Sequence, residues 1–274
     1  MVINMDKQLI KQKFNDMGAA VSFDRNRPTR FREDQLVSLD VIENKKGEYF
    51  VLENPDDFPV EVLDIQPDLR HLLLLVRGQS DKGGKDLRRF LCGHDERHWF
   101  VAAIPEDARV STVKQAVEAL KPGPVKNAQE KVGIKAKDLH KRRTASYVRQ
   151  GEWFFVPQPN VKVQDFLIHR NEPLRRGRGK PHTAEFLYRH GGETVYVSPQ
   201  YPNGLTQRVY GKLITNSPAT KNYSWQTMRR DATVFVKGRI SHPDHASVIL
   251  DIWHEVVPNT ESESAAFRDV AFLD

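Results

Sequence analysis

Thr233-Val234-Phe235-Val236-Lys237-Gly238-Arg239-Ile240, then Ser241-His242-Pro243-Asp244-His245, then Ser247 through Val257, read as strand, turn and strand. Proline at the second position of such a turn presets φ, and aspartate at the third suits a type I turn. A turn of this kind holds its first and fourth Cα atoms within about 7 Å. His242 and His245 can therefore converge as a chelating pair, with Asp244 as a further oxygen ligand or an orienting acceptor. The alternative is a hydrophilic hairpin tip whose two histidines face solvent. His254 is set aside as a third ligand: nine residues of regular strand place it about 30 Å from His245. It shares a face with Val248, Leu250, Ile252 and Val256 and reads as a hydrogen-bonded histidine at the edge of the core.

The rest of the chain follows the same β pattern. Val37, Leu39 and Val41 alternate with polar residues, the period of a half-buried strand. Tyr49 to Leu52 and Val60 to Leu63 add strands, and Leu72-Leu73-Leu74-Leu75-Val76 is a continuous apolar one. Arg88 to Cys92 and His98 to Ile104 flank Gly93-His94-Asp95-Glu96-Arg97, a second turn that carries imidazoles beside carboxylates. In the second half, strands are predicted at Trp153 to Val156, Ala184 to Tyr188 and Thr194 to Ser198, the last two joined as a hairpin by His190-Gly191-Gly192. Helical patterns are short: Lys7 to Met17, a segment opening at Ser111 to Gln115 and stopped by Pro122-Gly123-Pro124, and Gln207 to Ile214.

These elements predict a β-rich α+β fold with two antiparallel β domains joined by a helix and a basic linker. The expected boundaries are 1–121 for an N-terminal β-rich domain, 122–145 for the linker, 146–260 for a C-terminal barrel or sandwich, and 261–274 for a loosely held tail. At 274 residues with four tryptophans, the chain is long enough for a substantial core in each domain. No run of about 18 apolar residues occurs, so no membrane partner is expected. A single cysteine and an N-terminus without a signal-like apolar stretch predict a reducing, cytoplasmic setting.

Charge is unevenly placed. Residues 121–190 hold 16 Lys/Arg against 6 Asp/Glu, an excess of +10 in a chain whose formal charge is +6. Such a local excess is the footprint of a protein that meets phosphate backbones, although a solvated lysine-rich linker shows the same pattern. Lys141, Arg142 and Arg143 form one basic element, and Arg175, Arg176, Arg178 and Lys180 form a glycine-spaced second one. Both are candidate contacts to DNA or RNA. Trp153, Phe154 and Phe155 would stack bases if exposed. Tyr223, Trp225, Arg229 and Arg230 would extend that surface. No zinc-finger, Walker or dinucleotide-binding fingerprint occurs.

The third ligand beside His242 and His245 must come from another loop, and His182 after Lys180-Pro181 is the first choice. Asp244 and Glu185 are the candidate proton acceptors. His94, Asp95 and His98 form a possible second site, with a charged hairpin cap as the alternative. Cys92 ends an apolar run and reads as a buried structural cysteine rather than a nucleophile.

Three motifs carry a resemblance. Arg149-Gln150-Gly151-Glu152 precedes a hydrophobic strand, Gly179-Lys180-Pro181-His182 follows, and His242-Pro243-Asp244-His245 lies near the end. Residues 149–257 thus resemble short phage and plasmid proteins with an Arg-Gln-Gly-Asp start, a Gly-His-X-His centre and a His-Glu-Glu-His hairpin. Lys180 stands where that pattern has its first histidine. The resemblance implies a metal-binding β-fold and no particular activity. Together these features lead to the expectation of a divalent transition metal (zinc, manganese or iron) in a hydrolase for phosphate-bearing or nucleic-acid substrates. The competing expectation is a non-enzymatic nucleic-acid-binding or assembly protein whose histidines are turn residues.

Overall fold

The computed structural model describes residues 6–23, 37–54, 58–79, 85–176 and 180–263. The protein is β-rich α+β, and its strands form antiparallel sheets apart from one short parallel pair. It divides into two compact units, whose described residues are 6–122 with 259–263 in one and 123–258 in the other.

The first unit opens with α1 (Lys7–Asp16), capped by the Asp6 carboxylate on the Leu9 N–H. A three-stranded sheet follows from β1 (Val21–Ser22), β2 (Ser38–Asn44) and β3 (Gly47–Glu53). A four-stranded antiparallel sheet is built in chain order from β4 (Val60–Gln66), β5 (His71–Gln79), β6 (Lys85–Asp95) and β7 (His98–Ala103). The apolar run in β5 is buried on both faces. Leu72, Leu74 and Val76 pack with Phe14, Phe50 and Cys92, whereas Leu73 packs with Leu91, Val113 and Ala116 beneath α2 (Val113–Ala119). Alternating side chains of one strand thus serve two cores, each buried leucine contributing about 1.5–3 kcal/mol. Thr112 and Gln115 close a capping box at the start of α2. At its other end Thr260 donates from N–H and Oγ1 to the carbonyls of Leu120 and Ala119, so residues just past 258 return to this unit.

The second unit begins where a linker is expected. Residues 123–132 form α3 (Gly123–Val132), with Val125 and Gln129 buried on one face. Gln129 Nε2 and Tyr147 Oη both donate to the Leu139 carbonyl, and Tyr147 Oη also reaches the Lys141 carbonyl. Buried side chains therefore pin the lysine-rich stretch to the fold, and its charges occupy the outer faces.

The main sheet of this unit has the order β10 (His169–Leu174), β11 (His182–His190), β15 (Thr233–His242), β16 (His245–Pro258), β9 (Trp153–Pro157), β8 (Val148–Gln150). Both of its faces are covered. Trp153 and Phe155 pack with Leu174, Leu187 and Val236, while Phe154 and Val156 pack with Val125 and Tyr147. All three aromatics of Trp153-Phe154-Phe155 are accordingly buried and unavailable to bases. The sheet curls until its β8 end meets the front half of β16: Gln150 Nε2 donates to the Ala246 carbonyl, and the Arg143 guanidinium donates to that of Ile249.

β11 does not pair with β12 (Glu193–Ser198), contrary to the hairpin expected at His190-Gly191-Gly192. Gly191 and Gly192 have φ of 70° and 80° and turn the chain out of one sheet into another. That smaller sheet has the order β13 (Tyr201–Thr206), β12, β14 (Gln226–Arg230), with α4 (Gln207–Asn216) between β13 and β14.

Candidate metal centre

Strand pairing alone lines up three imidazoles. Thr183 opposes Ser241 on β11 and β15, so His182 lies opposite His242 one step further along the ladder. His242 opposes His245 across the two-residue tip of β15 and β16. Directly opposite residues share a face, and their Cβ atoms lie about 4.5–5.5 Å apart. Neither Pro243 nor Asp244 has positive φ, as a type I turn requires. The row curls into a cluster, with ring centroids 4.2 Å apart for His182–His242, 4.7 Å for His242–His245 and 5.6 Å for His182–His245. One nitrogen from each ring lies within 4.8 Å of the other two.

His182 is the most deeply set of the three, at 1% exposure. Neither of its ring nitrogens has a hydrogen-bond partner among the described residues. Burial and the neighbouring imidazoles hold its pKa down at about 3, so the ring is neutral and keeps a lone pair near neutral pH. A buried polar group left without a partner costs free energy, and native structures rarely retain one without a reason. The Trp153 ring packs edge-on to His182 with centroids 6.4 Å apart and walls the inner side.

His242 is oriented from both ends. The Asp244 N–H donates to its Nδ1 at 3.1 Å, and Nε2–H donates to the Lys180 carbonyl at 3.2 Å. The neutral tautomer therefore carries its proton on Nε2 and spends the Nδ1 lone pair on the Asp244 N–H, so a metal bound through Nδ1 would have to displace that hydrogen bond. The Lys180 carbonyl is the kind of outer acceptor that fixes a ligating histidine. The Lys180 ammonium reaches the Asp244 carboxylate at 2.8 and 3.0 Å, so the residue before Pro181 ties the β11 entry to the hairpin tip twice over.

Gly151 closes the site from the β8–β9 turn. Its φ is +58°, and a methyl group placed there would stand 2.9 Å from His245 Nε2 and 3.5 Å from His182 Cε1. Gln150, 1% exposed, holds this turn against the Ala246 carbonyl. Arg149 Nε donates back to the Gly151 carbonyl at 2.9 Å. Gly151 and Gln150 are not expected at the site from sequence, where the Arg149-Gln150-Gly151-Glu152 turn enters only through a resemblance, and Trp153 is expected to meet bases instead of an imidazole.

Other expected site residues lie elsewhere. Glu185 sits three positions along β11 with opposite parity to His182 and Ala184. Its carboxylate accepts the Arg239 N–H at 2.8 Å, filling the space beside Gly238 at a bulge. In this structure that carboxylate oxygen serves the bulge on β15. His94 opposes Trp99, and Asp95 opposes His98, so the two histidines of the first hairpin point to opposite faces. The His94 ring packs edge-on to Trp99, and His98 Nδ1 meets Glu48 Oε1 at 2.5 Å. Among the described residues, His94, Asp95 and His98 do not assemble a metal-ligating group. Cys92 is fully buried and burial pushes its thiol up, which suits a core residue and not a nucleophile.

The basic elements are largely engaged by the fold. Lys141 pairs with Asp138 at 2.6 Å, and the Arg142 carbonyl accepts the Arg149 N–H at 2.7 Å. Burial and the Arg149 guanidinium hold Arg142 down at about 10. Arg143 bridges Val148 beside β8, whereas Arg175 and Arg176 follow β10, at the other end of the strand order. Arg175 is exposed and Arg176 half-buried; Arg178 lies outside the described residues.

Comparison with protein-family models, with curated proteins and with solved structures returns no match. No helix among the described residues is long and apolar enough to cross a membrane.

Proposed function

We propose that the protein binds a divalent transition metal (zinc, iron or manganese) at His182, His242 and His245 and hydrolyses a phosphate ester there. The observation that carries this reading is the convergence of three imidazole nitrogens within 4.8 Å around a buried, unpartnered His182. Three nitrogen ligands leave a fourth position open, the arrangement of catalytic rather than structural sites. A metal held there would acidify a bound water and polarise the bond under attack. Asp244, at the tip beside His242 and held by Lys180, would take the proton. Lys180, exposed and paired with Asp244, and the exposed Arg175, which follows Leu174 opposite His182, would offer positive charge to a phosphate-bearing or nucleic-acid substrate. The lone, buried Cys92 is consistent with work in a reducing cytoplasm.

Metal analysis of the purified chain, coupled to hydrolysis of bis(p-nitrophenyl) phosphate, tests this reading. Roughly one tightly held ion per chain is expected, with hydrolysis abolished by a chelator and restored by the ion. Sub-stoichiometric metal that no divalent ion raises would refute the site. Full loading without hydrolysis would refute the reaction alone.

A further inference from the structure

The small sheet of β12, β13 and β14 has almost no interior of its own. Val195 is its only fully buried large apolar side chain among the described residues. Aromatic rings take the place of a core. Tyr196 on β12 and Tyr210 on α4 lie face to face, 4.1 Å apart and within 12° of parallel, and fasten the helix to the sheet. Tyr201, Tyr223 and Trp225 form a second group, joined to the first where Trp225 packs edge-on to Tyr210 at 4.9 Å. Their centroids stand 5.5, 6.1 and 6.4 Å apart, with planes within 29° of parallel. In a pile of three rings the outer two would be about 7 Å apart or more, given contact distances of about 3.5 Å. At least two of the three therefore lie side by side, and all three remain partly exposed. Trp225 is fixed by its Nε1–H to the Thr220 carbonyl at 2.8 Å.

The charge within this stretch is basic, with Glu193 and Asp231 the acids beside it, both against Arg230. Residues 201–230 carry five basic side chains (Arg208, Lys212, Lys221, Arg229 and Arg230) and no aspartate or glutamate. Arg229 and Arg230 are partly engaged, on the Gly191 carbonyl and on Glu193. Arg208, Lys212 and Lys221 are exposed, and no carboxylate among the described residues pairs with them.

We infer that Tyr201, Tyr223 and Trp225 form a stacking platform for the bases of single-stranded nucleic acid, with Arg208, Lys212 and Lys221 meeting its phosphates. Partly exposed flat rings in a mostly basic segment suit such binding, because every base has a π-face and every nucleotide a negative charge. The inference sharpens the substrate class of the metal-centre reading but needs no metal, so it is tested in the presence of a chelator.

Fluorescence anisotropy of the full chain with labelled oligo(dT), oligo(U) and a duplex provides the test, at two salt concentrations in EDTA. Binding to one or both single strands, tighter than to the duplex, is expected. Tyr201→Ala/Tyr223→Ala should weaken it at least about tenfold, and Tyr201→Phe/Tyr223→Phe should restore it. Arg208→Ala/Lys221→Ala should flatten the log–log salt slope by roughly 1.4. Photocrosslinking of a 4-thiouridine oligomer to the unmodified protein, followed by peptide mapping, should mark residues between 201 and 230. The inference is overturned if no single strand binds, if the duplex binds as tightly, or if crosslinks fall only elsewhere. A folded Tyr201→Ala/Tyr223→Ala variant that binds normally also overturns it. None of these outcomes alters metal loading at the triad.

Discussion

Two hairpins of this protein carry paired histidines on two-residue tips, and only one of them builds a site. In β6–β7 the tip is Glu96-Arg97, and the residues facing each other across it are Asp95 and His98. In β15–β16 the tip is Pro243-Asp244, and the facing residues are His242 and His245. A spacing of three across such a tip puts both side chains on one face, whereas a spacing of four puts His94 and His98 on opposite faces. The first pair is then absorbed by Trp99 and Glu48. The second meets a third imidazole because β11 lies beside β15. One residue of register separates converging imidazoles from a capped turn.

The largest expected effect separates the two hairpins outright. His242→Ala should reduce zinc affinity by at least about a hundredfold, beyond the roughly 10–100-fold typical of losing an outer partner. His94→Ala and His98→Ala should leave affinity unchanged. Zinc titration against a competing chelator checks this, and equal losses from both hairpins would remove the distinction.

Gly151→Ala comes next. Its methyl group enters the space of His245 Nε2 at a position with φ of +58°. About 1–2 kcal/mol of stability should be lost from the left-handed backbone, together with roughly tenfold in zinc affinity from ring displacement. Urea denaturation of the metal-free protein and the same titration read the two effects separately.

Smaller effects belong to residues of the same sheet away from the triad. His254, 6% exposed, donates from Nδ1 to the Ile252 carbonyl, and burial lowers its pKa below the ordinary 6.5. The unfolded chain therefore binds more protons than the fold as pH drops through 6.5. Its contribution is complete above that pH and is lost on acidification. His254→Asn should cost about 1 kcal/mol at pH 7.5 through a weakened hydrogen bond. That cost should shrink at pH 5, as denaturation at the two pH values will show. Smallest of all, Glu185→Gln keeps an acceptor for the Arg239 N–H and should cost no more than about 1 kcal/mol. Metal content should be unchanged; a loss of metal would return Glu185 to the site.

Much of this was legible in the residues. The turn chemistry of His242-Pro243-Asp244-His245 predicts two converging imidazoles, and the length of β16 separates His254 from them. His182 is in sequence only a first choice from another loop; its place beside His242 depends on β11 pairing with β15 about sixty residues later, which local pattern does not encode. The lysines of 122–145 masked the Val125 and Gln129 stripe that makes α3 a packed helix. His190-Gly191-Gly192 carries the dihedral freedom of a hairpin, but glycine permits a turn without choosing its partner strand. Glu185 looked catalytic because a free carboxylate and one spent on a bulge are written identically in sequence.

His182→Phe tests the central claim most directly, because the metal reading assigns its two effects opposite signs. Phenylalanine keeps the ring and removes two buried nitrogens that have no partner among the described residues. Denaturant unfolding of the metal-free variant should show unchanged or higher stability, by up to about 1–3 kcal/mol. In parallel, cobalt titration should lose the saturable one-to-one visible absorption expected of the unaltered protein. A variant that is clearly less stable, or one that still binds cobalt like the parent, would contradict the assignment of His182 as a metal ligand.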